Sequence, residues 1–168
     1  MEKENKKCCE HEDMINFKAK YEVFRKTNSL PDFEFMNENF EIENLACEET
    51  ELLAKKIRKQ MMEKISSSFR ALEMFKNPQS APLFIFSVLK SFSPADKDNI
   101  DSLYNKFADL EIEAFGLETG YDEKKELDFI KKVCKDWEEI SKDFNKIYES
   151  MKLGHKPDSK KQTKSYFG

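Results

Sequence analysis

The chain reads as an all-α protein, an up-and-down helical bundle of four to five helices with an extended or hairpin-like segment near residues 30–43. Three observations predict this. Apolar side chains return every three or four positions over most of the 168 residues, which places them on one face of a helix. Glycine and proline number only 4 and 5, too few for a loop-rich or sandwich architecture. Pro78, Pro82, Pro94, Gly116, Gly120 and Gly154 fall between the periodic stretches, where helices start and stop.

The first helix is expected from about Asp13 to Thr27, with Met14, Phe17, Tyr21 and Phe24 on one face. In the next stretch, SLPDFEFMNENFEIE, Phe33 and Phe35 alternate with acids, as do Phe40 and Ile42, around Asn37-Glu38-Asn39. Alternation of period two about a turn signal predicts a small hairpin, or an extended segment laying its rings on the bundle. The second helix is expected over Asn44–Asn77, its stripe formed by Leu53, Ile57, Met61, Ile65, Phe69, Leu72 and Phe75. Ser66-Ser67-Ser68 interrupts its helix propensity and offers small side chains to a neighbour.

The third helix, 82–92, opens with Pro82 where a missing N–H costs nothing. Leu83, Phe84, Ile85, Phe86, Val88, Leu89 and Phe92 cover nearly its whole circumference, so it belongs in the centre or against a partner. The fourth helix has the clearest start: Ser93 as cap, Pro94 at the first helical position, Asp96 and Asp98 near the positive end of the dipole. Ile100, Leu103, Phe107, Leu110 and Ala114 follow, and Gly116 is its stop. In the fifth helix Leu127, Ile130, Cys134, Trp137, Ser141, Phe144, Tyr148 and Met151 keep 3, 4 spacing. Val133, Ile140 and Ile147 widen that stripe to suit a multi-helix bundle.

Length and composition predict three segments: a flexible N-terminal segment 1–12, a helical domain 13–153, and a basic disordered tail 154–168. Apolar residues make up 39% and charged residues 37%, with 15 phenylalanines to build an aromatic core. The net charge is −4, yet the tail sets Lys156, Lys160, Lys161 and Lys164 against Asp158, so the body is more acidic than the total. Arg25, Arg58 and Arg70 are the only arginines, a poor set for reading nucleic acid. Four lysines on a tail would give weak, salt-sensitive binding, so nucleic acid is the third-ranked partner. The start MEKENKK lacks an apolar signal core, and the longest apolar run, 82–92, is too short to span a bilayer. These features predict a cytoplasmic protein whose cysteines stay reduced.

Chemistry-bearing residues are scarce. KKCCEHE, residues 6–12, is the one place where cysteine, histidine and carboxylate crowd together. On an extended first helix Cys8, His11 and Glu12 share a face and supply two or three ligands, and a zinc site of the usual four would draw the missing one from Cys47, His155 or a second copy of the chain. Acylation of Cys8-Cys9 beside Lys6-Lys7 lacks a second lipid signal. Cys134 sits inside an apolar stripe far in sequence from His11 and His155, which fits a small core residue better than a nucleophile. Glu111, beside Leu110, is the acid expected at the edge of the core. Neither histidine has a Glu three residues before it, so no di-iron helix pair can form. The dispersed glycines build no phosphate loop.

The leading functional expectation is therefore a non-enzymatic helical bundle acting through protein–protein contacts, including self-association. Its candidate anchors are Phe33, Phe35, Phe40, Phe84 and Phe86, since aromatic rings dominate interface energetics. The alternative is a metal- or small-ligand-binding protein using Cys8, His11 and Cys47.

Overall fold

The computed structural model describes residues 11–48, 51–80 and 82–154. Among the described residues there are six α-helices, two short 3-10 turns and no strand. In chain order these are α1 (His11–Asn28), α2 (Phe33–Phe40), a 3-10 turn (Ile42–Leu45), α3 (Leu53–Lys76), a second 3-10 turn (Pro78–Ser80), α4 (Leu83–Leu89), α5 (Pro94–Leu117) and α6 (Glu123–Gly154). No described helix is long and apolar enough to cross a membrane.

The all-α expectation holds, with one helix more than anticipated. The extra helix is α2, which replaces the hairpin-like segment. Asp32 caps it: its Oδ1 accepts from Phe35 N at 2.8 Å, while Glu41 closes the other end in the left-handed region at φ 56°. Phe33, Met36 and Phe40 are buried at i, i+3 and i+7, a helical spacing that outweighs the alternation of Phe33 with Phe35. The expected helix over Asn44–Asn77 begins instead at Leu53, because Leu52 is left-handed at φ 53°. Of the expected 1–12 and 154–168 segments, only His11, Glu12 and Gly154 are described, all within helices.

The chain divides into two compact units that share the long helices. Of the described residues, those up to Phe69 with Phe107–Glu138 form the first, and those of Arg70–Lys106 with those from Glu139 form the second. In the first unit, Arg58 and Ser66 on α3 reach Glu118 and Glu111 at 2.6 and 2.5 Å, so α3 and the chain through α5 run antiparallel. The serine predicted to admit a neighbour thus hydrogen-bonds one. Its core includes Phe17, Tyr21, Met36, Phe40, Ile57, Met61, Phe107 and Ile130. Tyr21 is fully buried and donates to Pro31 O at 2.9 Å; burial holds its phenol above the ordinary range. Trp137 packs on Phe40 at 4.6 Å between centroids and donates Nε1–H to Asn39 Oδ1 at 2.8 Å. Asn39 in turn donates to Phe35 O at 2.7 Å, which ties α2 to α6 with both polar ends satisfied.

In the second unit, α5 and α6 are antiparallel: Lys106 pairs with Glu139 at 2.9 Å, Asn99 donates to Asp143 O at 3.0 Å, and Ser150 donates to Asp96 at 2.7 Å. The start of α5 is as predicted. Ser93 N donates to Asp96 Oδ2 at 2.8 Å and Asp96 N donates back to Ser93 Oγ at 3.2 Å, a reciprocal cap. Those hydroxyls, Ser150 first and then Ser93, hold the Asp96 carboxyl below its ordinary range.

Candidate interaction face

Helix α4 lies in the second unit and is apolar at every position but Ser87, yet it is only half covered. Ile85 and Val88 face inward with Phe92 just beyond, and Phe92 meets Phe75 edge-on at 5.6 Å. On the opposite side Leu83, Phe84 and Phe86 are 87%, 52% and 39% exposed. At 100° per residue these three span roughly 160° of the helix surface. Both serines near this surface turn their hydroxyls to backbone: Ser87 Oγ donates to Phe84 O and Ser91 Oγ to Val88 O, each at 2.6 Å. No charged residue occurs between Leu83 and Leu89. The result is an apolar fan in water, interrupted by exposed Ser87 and with exposed Lys90 at its C-terminal edge.

The five predicted anchors separate into two groups. Phe84 and Phe86 are on this exposed fan. Phe33 and Phe40 are buried, and Phe35 is half-buried, because α2 turns its apolar face into the first unit. Phe33 packs edge-on against Phe17 and Tyr21 at 6.2 and 5.9 Å, so it stabilises the core and cannot reach a partner.

The proposed metal ligands are not brought together among the described residues. Cys8 lies outside them, as does the side chain of His11. Cys47 is disulfide-bonded, which overturns the expectation that every cysteine stays reduced and leaves it no thiolate for a metal. Among the described residues no three His, Cys, Asp or Glu side chains cluster to hold an ion. Cys134 is a free, half-buried thiol 3.5 Å from Met36 Sδ, and burial pushes its pKa up to about 12. A thiol so protonated is a packing residue.

The described residues line at least two grooves. One of about 630 Å³ in the first unit is lined by Lys20, Val23, Phe24, Leu52, Tyr121 and Glu123 among others. One of about 530 Å³ in the second unit is lined by Arg70, Glu73, Met74, Lys76, Asn77 and Tyr104.

The expected semi-buried acid, Glu111, is half-buried and accepts from Ser66. The sequence reading missed a deeper charge cluster. Arg58 and Glu126 are both buried and meet at 2.6 Å, while Arg58 Nη2 also reaches Glu118 at 2.6 Å. Burial by itself would lower the Arg58 pKa, but the hydrogen bonds to Glu118 and Glu126 outweigh it and raise the pKa. Glu126 Oε1 has no hydrogen-bond partner among the described residues. The signal was present: Ala54, Met61, Met62 and Ile65 put Arg58 on the α3 stripe, and Ile130 and Val133 put Glu126 on that of α6. The chain matches no known protein family, and neither a characterised protein nor a solved structure shows significant similarity to it.

Proposed function

We propose that this is a non-enzymatic helical protein that acts through protein–protein contact, with α4 as the contact helix and a second copy of the chain as its partner. One observation carries the reading: Leu83, Phe84 and Phe86 face water from a seven-residue helix whose other side is already packed. Covering exposed apolar surface is worth about 25 cal/mol per Å², and contiguous patches of this kind mark interaction sites. An apolar face is self-complementary across a two-fold axis, as an isologous contact requires.

Sedimentation velocity from about 1 to about 200 µM tests this, since a small contact gives micromolar affinity at best. The wild-type chain should show a concentration-dependent dimer that strengthens with salt, because screening reduces repulsion between copies of net charge −4. Leu83→Asp and Phe84→Asp should each remove the association that strengthens with salt while leaving the helical circular dichroism unchanged. A salt-strengthened association indifferent to both substitutions would overturn the reading, as would a wild-type chain that stays monomeric.

A further inference from the structure

The first unit carries two more exposed apolar stripes, and their charges are opposite. On α1, Ile15, Ala19 and Val23 recur at i, i+4 and i+8 on the solvent face, with Val23 69% exposed. Lys20 and Lys26 lie three residues to either side of Val23 and flank it. Neither has an ion-pair partner among the described residues, whereas Lys18 pairs with Glu34 and Arg25 with Glu22. On α5, Ala108, Ile112 and Phe115 form the corresponding outer stripe, and Phe115 is 77% exposed. Between Phe107 and Glu118 there is no lysine or arginine. Glu113 is paired with Lys132 and Glu118 with Arg58, but Asp109 and Glu111 have no cationic partner among the described residues. Glu111 accepts from the Ser66 hydroxyl.

We infer that the α1 stripe of one copy docks on the α5 stripe of another, with Phe115 seated over Ala19 between Ile15 and Val23. Shape and charge both support this pairing. Ile15 and Val23 are eight residues apart, about 12 Å along a helix, and the alanine midway leaves a hollow there for a ring. Lys20 and Lys26 then face Asp109 and Glu111, two cations against two anions beside an apolar seam, which sets register and raises the association rate. Two α1 stripes would oppose lysines, and two α5 stripes would oppose acids, so the contact joins unlike faces. This surface is independent of α4 and does not rest on the α4 reading.

The test uses the full-length chain carrying Phe84→Asp, so that any α4 contact is absent. This chain should still self-associate in sedimentation velocity. Adding Val23→Asp should abolish that, as should adding Phe115→Asp. Both sites are exposed, so folding should survive, and circular dichroism checks it. Mixing the two variants should restore a one-to-one dimer, because the first keeps an intact α5 stripe and the second an intact α1 stripe. Lys20→Glu with Lys26→Glu should weaken association at least tenfold, and Asp109→Lys should recover part of the loss. Salt should weaken this contact, opposite to its effect on α4. A Phe84→Asp chain that is monomeric overturns the inference, and so does a mixture that stays monomeric or a variant that associates undiminished.

Discussion

Arg58 Nε and Glu126 Oε2 meet at 2.6 Å in the interior of the first unit, 68 residues apart in sequence. Taking both charges out of water is costly, and their attraction offsets that only while both remain. Replacing Arg58 alone with Met should therefore destabilise the fold by about 3–5 kcal/mol, as it strands a buried carboxylate. The double variant Arg58→Met, Glu126→Leu should fall within about 1 kcal/mol of wild type or exceed it. Urea denaturation of both variants decides this; equal losses from the single and double changes would contradict it.

Acid should weaken the protein through its partnered carboxylates. The hydrogen bond from Arg58 holds Glu118 below the ordinary carboxylate range, and the Ser150 and Ser93 hydroxyls do the same for Asp96. A carboxyl with a depressed folded pKa stabilises the fold above its unfolded value and loses that contribution as pH falls through the folded one. The urea midpoint should thus drop from about pH 5 downward. In the Arg58→Met, Glu126→Leu chain the drop should be shallower, because Glu118 has lost its principal partner.

Cys134 should be almost inert in the native state. With its thiol pushed up to about 12, the thiolate fraction near pH 8 is roughly a thousandfold below that of an ordinary cysteine. Thiol titration with a disulfide reagent should show Cys134 reacting slowly in buffer and rapidly in urea. Fast native labelling at this position, located by peptide mass, would refute the burial argument.

Glu41 sits between α2 and the following 3-10 turn at φ 56° and ψ 42°, a left-handed conformation that strains any residue with a Cβ. Its ion pair with Lys64 is exposed at 3.6 Å and contributes little. Glu41→Gly should therefore raise stability by about 1 kcal/mol. Thermal melts of the two chains compare them directly, and a lower midpoint for the glycine variant would count against the assignment.

The sequence by itself determined the long helices and the faces they bury. Apolar spacing is local, so Ile57, Met61 and Ile65 on α3, or Leu103 and Phe107 on α5, could be placed inside before any coordinates. Ser93, Pro94 and Asp96 likewise wrote the start of α5 into a few adjacent positions. What the tertiary structure alone decided was coverage. Phe33 and Phe84 look equally apolar in the sequence, yet one is sealed under α1 residues Phe17 and Tyr21 and the other faces water. Burial of a ring depends on what packs opposite it, and the partner of Arg58 lies on another helix far along the chain. Short-range periodicity carries neither fact.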